Sequence, residues 1–243
     1  MKAIILAAGR GERLKAVNSL PKPMIMIKGR PILEHNVLLF KKYGIRDIWI
    51  NLHHLPQVIA GYFRDGRQFG VNIKYSHEQT LLGTAGAVKK IWKDCWDCDR
   101  KGPFLVAYGD NLFPYRIDEM MGFQAKKKGS AVIAVYEKQG DLSQSGVISI
   151  DNDSRITRFI EKPRSKVTSS GFVNAGLYVL EPDVPDFIQE KGFSDFGANV
   201  FPEMLKYGKV IHAFRADKTA DGHAENLVAV DTPELLKEAM RLK

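Results

Sequence analysis

The sequence has little cysteine. Its 243 residues include only Cys95 and Cys98, in the segment Cys-Trp-Asp-Cys. A structural zinc site would need two more ligands at matching spacing, and the sequence has no second cysteine pair. A thioredoxin-like redox pair should follow a strand and open a helix, whereas these cysteines lie in a polar stretch. We therefore expect two reduced thiols without a role in metal binding or redox chemistry.

Long apolar runs are also missing. No stretch approaches the roughly 20 apolar residues that a membrane helix needs, so we expect no membrane partner. The segment Met1–Ala8 is apolar but short, and a glycine-rich segment with arginines follows it at once. This arrangement is typical of a buried strand entering a loop and not of a signal peptide. The expected compartment is therefore the cytoplasm.

Nucleic-acid signatures are absent although the formal net charge is +8. No basic patch interleaved with aromatic residues and no known nucleic-acid motif appears, so we expect no nucleic-acid partner. The basic run Lys126–Lys128 ends a predicted helix, where cations complement the helix dipole. A positive field also favours phosphorylated small molecules, and that class of ligand stays open.

Strand and helix signals alternate in the first half of the chain. Short apolar runs such as Ala3–Ala7 and Phe104–Tyr108 predict buried parallel strands. Helical spacing over Pro31–Tyr43, followed by Gly44, predicts a helix. The pattern predicts further strands at 48–50, 71–75 and 131–135 and further helices at 58–63, 85–92 and 117–128. This order indicates an α/β fold with a Rossmann-like, doubly wound and mainly parallel sheet.

The second half has a different character, with shorter strands and polar turns. Strands are predicted at 146–150, 156–160, 172–180 and 210–214, and helices at 184–188, 200–207 and 233–242. We expect one domain over residues 1–243, with a first lobe at 1–135 and a smaller mixed lobe at 136–243. In such folds ligands bind at the carboxyl ends of the strands.

A glycine loop follows the first predicted strand. Gly9 and Gly11 would let backbone N–H groups approach phosphate oxygens closely. The dinucleotide fingerprint fails because its third glycine position is Leu14, and no Walker pattern follows. Arg13 and Lys22 supply two cations that would suit a polyphosphate.

This opening resembles the nucleotide-sugar pyrophosphorylase family, whose members are sugar-1-phosphate nucleotidylyltransferases. The family motif L-A-A-G-x-G-x-R-[LM], followed by P-K-P, is matched by Leu6-Ala7-Ala8-Gly9-Arg10-Gly11-Glu12-Arg13-Leu14 and Pro21-Lys22-Pro23. The resemblance implies a glycosyltransferase-A-like nucleotidyltransferase fold and a nucleotide held along Leu6, Ala7, Ala8, Gly9 and Gly11. It also implies that Arg13 grips the pyrophosphate end and that Lys22 stabilises charge at the α-phosphate.

Two more segments of the first half are similar to family elements. The segment Gly83-Thr84-Ala85-Gly86 resembles a stretch beside the nucleobase, and the resemblance adds Glu78 to the nucleotide contacts. Tyr108-Gly109-Asp110-Asn111 resembles the element whose aspartate binds Mg²⁺ and the nucleotide. A carboxylate after a buried parallel strand suits that metal. Tyr108 and Asn111 would contact the substrate.

The second half carries the implied sugar-phosphate residues. Glu161-Lys162-Pro163 matches the family's E-K-P, and Val173-Asn174-Ala175-Gly176 follows at a family-like distance. The resemblance implies that Glu161 accepts hydrogen bonds from sugar hydroxyls, that Lys162 contacts the sugar's phosphate, and that Gly146 and Asn174 face the sugar.

One family element is altered. The late segment W-x-D-I-G-T-P-E corresponds to Val228-Ala229-Val230-Asp231-Thr232-Pro233-Glu234, without the aromatic residue and the glycine. Asp231 is the expected second Mg²⁺ ligand, with a helix-capping box as the alternative interpretation. The run 217–225, with His223, has no counterpart in the family pattern and suits a loop over the site.

The resemblance implies transfer of a nucleotidyl group from a nucleoside triphosphate to a sugar-1-phosphate, with Mg²⁺ as cofactor. Leu82–Gly86 and Asp195-Phe196-Gly197 resemble guanylyltransferases for mannose- or heptose-1-phosphate. Uridylyl, thymidylyl and cytidylyl transfer, a non-sugar phosphate acceptor, and a non-catalytic nucleotide-binding regulator stay open. A homodimer is compatible with the sequence.

Overall fold

The computed structural model describes residues 1–9, 11, 20–94, 100–112, 116–163, 170–217, 228–229 and 236. The chain divides into two compact units. The first unit comprises Met1–Leu81, Val106–Pro114 and Leu227–Lys243. The second comprises Leu82–Leu105 and Tyr115–Asn226. The two expected lobes, which concern substrate binding, stay a prediction.

The first unit is built on strands with buried apolar runs. Its strands are β1 (Lys2–Leu6), β4 (Asp47–Leu52), β5 (Asn72–His77) and β6 (Phe104–Tyr108), and they lie in the order β6-β1-β4-β5. Parallel pairing places Leu6 of β1 opposite Asn51 of β4, and Asn51 opposite Ser76 of β5. The side chains at the centre of β1 and β4 are fully buried, as expected for a sheet covered on both faces. The boundary between the two units falls inside β6.

The described part of this unit also contains two α-helices, two short ribbons, and 3-10 turns at Lys22–Met24 and Arg67–Phe69. Helix α1 (Ile32–Lys42) follows Pro31, and helix α2 (Pro56–Phe63) begins with its own proline. One ribbon joins β2 (Met26–Ile27) to β3 (Arg30–Pro31) through Lys28 and Gly29, which both have positive φ. That turn was not predicted from the sequence. The second ribbon pairs β7 (Asn111–Leu112) with β13 (Val228–Ala229) in antiparallel register.

The second unit has a mainly antiparallel sheet. Its strands are β8 (Ala131–Gln139), β9 (Gly146–Ile150), β10 (Ile156–Glu161), β11 (Ser170–Leu180) and β12 (Ile211–Arg215), in the order β10-β9-β11-β8-β12. Among the strand pairs described for this unit, β8 and β12 are parallel and the others are antiparallel. A cluster of aromatic rings, including Tyr178, Phe196 and Phe201, forms its core. The α-helices of this unit are α3 (Gly83–Asp94), α4 (Ile117–Lys127) and α5 (Phe201–Lys206).

The mixed α/β fold with a mostly parallel central sheet confirms the fold class. One predicted helix needs correction: residues 184–188 form a single 3-10 turn at Val184–Phe187, because the backbone is already extended at Ile188 and the segment is too short for an α-helix. The helix predicted at 200–207 begins with a π-helical turn, Phe196–Val200, before α5. The closing helix at 233–242 lies outside the described residues, apart from Leu236 in helical conformation.

Candidate functional site

The opening loop is held against two neighbouring elements of the first unit. A Cβ on Gly109 would lie 3.0 Å from the Leu6 carbonyl oxygen, and the Gly109 N–H donates to that oxygen over 2.8 Å. Gly11 has a φ of +57°, and a Cβ there would lie 3.1 Å from the Cβ of Lys22. Only glycine therefore permits these close approaches without a shift of the backbone. The loop meets the end of β6 and the segment around Lys22.

Lys22 and Asp110 form an ion pair in the first unit. The Lys22 Nζ donates to Asp110 Oδ2 over 2.6 Å, although the two residues are 88 positions apart. The Lys22 side chain is 8% exposed and lies on a 3-10 turn, Lys22–Met24, that follows Pro21. Asp110 is 30% exposed and lies two residues after the end of β6. The structure thus brings together two of the three expected catalytic residues, and the third, Arg13, lies outside the described residues.

A second polar cluster of the first unit contains Glu78. Glu78 is 6% exposed, and its Oε1 accepts a 2.7 Å hydrogen bond from Asn51 Nδ2. The Oδ1 of Asn51 accepts from the Ala7 N–H over 2.7 Å. Ala7 and Glu78, both expected at the nucleotide, are therefore linked through one side chain. Sequence reasoning missed Asn51, although a polar residue at the end of the apolar strand Ile48-Trp49-Ile50 was a usable signal.

The expected GTAG segment lies in the second unit. The Thr84 hydroxyl donates to Asp195 Oδ2 over 2.8 Å and accepts from the Phe196 N–H over 3.0 Å. The N–H groups of Ala85 and Gly86 both donate to the Ser194 carbonyl over 3.0 Å. These bonds fix the start of α3 against the segment that enters the π-helical turn. Thr84 and Ala85 as nucleotide contacts stay predictions.

Glu161 lies in a space that two glycines leave open. A Cβ on Gly146 would lie 2.8 Å from Glu161 Oε2, and one on Gly197 would lie 2.5 Å away. Burial raises the pKa of the Glu161 carboxyl, and the nearby Asp195 raises it further, while Lys162 lowers it. Lys162 is exposed, with its Nζ 3.8 Å from Glu161 Oε1. The predicted Glu161–Lys162 pair is therefore adjacent in space, and the sequence did not reveal the part played by Gly197.

Asn174 stabilises a bulge of β11. Its Oδ1 accepts from the Gly176 N–H over 2.9 Å, and its Nδ2 donates to the Tyr178 hydroxyl over 2.7 Å. The register of β11 against β8 shifts between Asn174 and Tyr178, and Gly176 has a φ of +76°. Asn174 thus has a local structural role beside its predicted contact with the sugar.

The described residues contain no group of three or more histidine, cysteine, aspartate or glutamate side chains suited to a metal ion. Mg²⁺ does not require such a group, because it keeps several waters and uses one or two carboxylates together with substrate phosphates. The partly exposed Asp110 carboxylate beside the glycine loop fits that donor set. Asp231, the expected second ligand, lies outside the described residues, as does His223. In the part of the chain that is described, no helix has both the length and the apolarity to cross a membrane.

Comparison with known proteins identifies the family. Residues 2–226 match the nucleotidyl transferase family. Because this match covers most of the chain, the chain belongs to that family. The crystal structure of HddC from Yersinia pseudotuberculosis superposes with a TM-score of 0.78 at 24% identity, covering 98% of this chain and 97% of that one. At that identity the likeness concerns the fold.

Curated relatives share about a third of their aligned residues with this chain. The UTP–glucose-1-phosphate uridylyltransferase of Synechocystis is 34% identical over 228 residues, which is 89% of this chain and 58% of the relative. Mannose-1-phosphate guanyltransferase 2 of Candida glabrata is 34% identical over 212 residues, with 84% and 56% covered. The chain therefore spans little more than half the length of these relatives.

The glycine beside Glu161 generates a stability prediction. Gly197→Ala should lower the free energy of unfolding by about 1–3 kcal/mol, because the added methyl group overlaps the Glu161 carboxylate and the Phe159 ring. Gly122→Ala is the matched control, since Gly122 lies in α4 with open space around its Cβ position, and it should stabilise by up to about 1 kcal/mol. Denaturant unfolding of both variants is the measurement. Equal stability changes would show that the space at Gly197 is not tight.

Proposed function

We propose that this chain transfers a nucleotidyl group from a nucleoside triphosphate to a sugar-1-phosphate. The observation that carries the proposal is the Lys22–Asp110 pair beside the glycine loop. This arrangement provides a buried cation and a carboxylate next to a backbone that phosphates can approach. Family membership over residues 2–226 and the names of the curated relatives support the same reaction.

The proposed reaction is a direct displacement. An oxygen of the sugar phosphate attacks the α-phosphorus in line, a new P–O bond forms, and the bond to the β-phosphate breaks to release pyrophosphate. Lys22 would compensate charge at the α-phosphate, and Arg13 would hold the pyrophosphate end. Asp110 and Asp231 would hold Mg²⁺, which when bound offsets charge on the phosphate oxygens. Asp231 follows β13, which pairs with the residues directly after Asp110, and this pairing supports the assignment.

Each unit offers side chains suited to one substrate. In the first unit, the loop with Gly9 and Gly11 suits the triphosphate. In the second, Glu161 suits sugar hydroxyls because an ionised carboxylate only accepts hydrogen bonds, and Lys162 suits a single phosphate. Tyr108, Asn111, Gly146 and Asn174 would complete the substrate contacts. The lobe boundary near residue 135 is part of this proposal.

The chemistry of Glu78 favours guanine as the base. Guanine presents adjacent N–H donors on one edge, which suit a carboxylate acceptor. Uracil and thymine present one N–H between two carbonyl oxygens, and these oxygens would repel the carboxylate. Adenine and cytosine present one amino group beside an acceptor ring nitrogen, so they offer a carboxylate one donor where guanine offers two. GTP is therefore the proposed nucleotide, with mannose- or heptose-1-phosphate as the proposed partner. A cytoplasmic location is part of the proposal.

The deciding experiment is a screen for pyrophosphate release. The protein with Mg²⁺ is given GTP, UTP, dTTP, CTP or ATP, each with mannose-, heptose- or glucose-1-phosphate, and with phosphocholine as a non-sugar phosphate. We expect the highest rate with GTP and one sugar phosphate, and none with phosphocholine. A maximum with UTP would overturn the base assignment, and the lack of release with every pair would overturn the reaction.

Asp110 is predicted to hold the metal. Asp110→Asn should lower turnover on the order of a thousandfold, as for the loss of a main electrostatic group. Steady-state rates over a range of Mg²⁺ concentrations measure the effect. Asp118→Asn, at an exposed position in the first turn of α4, is the control and should behave as the unmodified protein. Near-normal Mg²⁺-dependent turnover of the Asp110 variant would remove Asp110 from the site.

Glu161 is predicted to serve the sugar phosphate alone. Glu161→Ala should raise the KM for the sugar phosphate roughly tenfold to a hundredfold, for the loss of hydrogen bonds to a charged group. Triphosphate binding without sugar should stay unchanged in equilibrium titration. Because burial raises the pKa of Glu161, acidification protonates it earlier than an exposed glutamate. The KM of the unmodified protein should therefore rise as pH falls, and the variant should show a smaller rise, because only the phosphate of the substrate, with a second pKa of about 6, still titrates in its site. An equal loss of triphosphate affinity would refute the assignment.

A further inference from the structure

Asn51 has a buried side chain that the proposed reaction does not use. It is the penultimate residue of β4, is 3% exposed, and lies between β1 and β5 in the parallel register. Its amide spans the two elements that the nucleotide is proposed to contact: the Ala7 N–H on one side and the Glu78 carboxylate on the other, each over 2.7 Å.

The chemistry of these partners fixes the orientation of the amide. The Ala7 N–H can only donate, so the Asn51 oxygen must face it. The amide nitrogen must then face Glu78, where it needs an acceptor, and Oε1 supplies one. A flipped amide would lose both bonds, because its nitrogen would face an N–H and its oxygen would face a carboxylate. Since Asn51 is buried, that loss would not be replaced by water.

The backbone of Glu78 is also fixed. Its N–H donates to the Leu52 carbonyl over 2.8 Å, and its carbonyl lies 2.9 Å from His53 Nδ1. The backbone of Glu78 is therefore held at both ends. The bond from Asn51 restricts the rotation of the Glu78 side chain, and it also links the carboxylate to the start of the glycine loop.

We propose that Asn51 is a positioning residue for nucleobase selection, acting through Glu78 without touching the nucleotide. The inference rests on the proposed role of Glu78 as the reader of the base. A carboxylate that Asn51 helps to hold in one direction can favour adjacent N–H donors and reject carbonyl oxygens, and loss of that bond widens the range of directions and weakens the discrimination. The specificity for GTP over UTP therefore depends on Asn51.

Asn51→Asp is the sharpest test, since it keeps the oxygen that faces Ala7 and places an oxygen against Glu78. Two carboxylates would then repel each other, which weakens the hold on Glu78, and a proton shared between them is the one way to restore the bond. Asn51→Ser, which introduces no second carboxylate, distinguishes that case. We expect the ratio of GTP to UTP affinity to fall roughly tenfold to a hundredfold, the loss expected for a bond to a charged group. Equilibrium titration with each nucleotide measures this ratio whether or not turnover is detected. Where turnover is detected, the KM for GTP should rise more than kcat falls.

Asn72→Asp is the matched control. Asn72 lies at the other end of the same strand pair, is exposed, and donates to Asp47 Oδ1 over 3.0 Å. The substitution makes the same charge change beside a carboxylate and should leave the GTP to UTP ratio unchanged. Asn51→Ser, which removes the bond to Glu78 without adding charge, covers the case in which Asn51→Asp does not fold. It should lower the ratio about tenfold.

Glu78→Gln separates this inference from the function on which it rests. If Glu78→Gln leaves the GTP to UTP ratio unchanged, Glu78 does not read the base and the base assignment fails. If Glu78→Gln lowers the ratio while folded Asn51→Asp and Asn51→Ser both keep it, the positioning role of Asn51 is overturned and the base assignment stands. A parallel fall in all three variants, with Asn72→Asp unchanged, supports the proposal.

Discussion

The ion pair between Lys22 and Asp110 is the contact on which the arrangement of the first unit depends. A lysine that is 8% exposed is costly to bury unless a carboxylate accompanies it, and Asp110 provides that carboxylate at 2.6 Å. Forming the pair brings the turn after the opening loop to the end of β6, across 88 positions of sequence. The prolines on either side of Lys22 restrict that turn before folding, which lowers the entropy lost when the pair forms.

The second unit solves a different electrostatic problem around Glu161. Asp195 raises the pKa of Glu161, so the two carboxylates repel each other. Asp195 stays in place because its side chain accepts from the N–H groups of Gly197 and Ala198 and from the Thr84 hydroxyl. Gly197 is thus required twice: its N–H caps the π-helical turn, and its missing side chain leaves room for Glu161.

The sequence predicted the strands better than the links between them. The buried run Phe104–Tyr108 was located to the residue, and Ala3–Ala7 to within one residue of β1, because a continuous apolar run bounded by turn residues is a local signal. The turn at Lys28 and Gly29 was not predicted, and the segment at 184–188 was predicted as a helix but forms a single 3-10 turn at Val184–Phe187. The Asn51–Glu78 bond joins residues 27 positions apart and requires the register of two strand pairs, which the sequence does not state.

Carboxylates and cations have separate tasks in the proposed site, and burial decides how each performs. Glu78 and Glu161 are both largely enclosed, which strengthens hydrogen bonds from neutral N–H or O–H donors because water competes less. The same enclosure would make either carboxylate repel a nearby phosphate strongly, so each needs a neighbour that partly offsets its negative charge. Asn51 does this for Glu78 by donating one hydrogen bond, and Lys162 does it for Glu161 by its positive charge. A neutral donor mainly restricts the direction of the carboxylate, whereas a lysine on a flexible stem mainly offsets its negative charge. Discrimination between donors should therefore be sharper at Glu78, where bases differ by single groups, than at Glu161, where sugars present several hydroxyls.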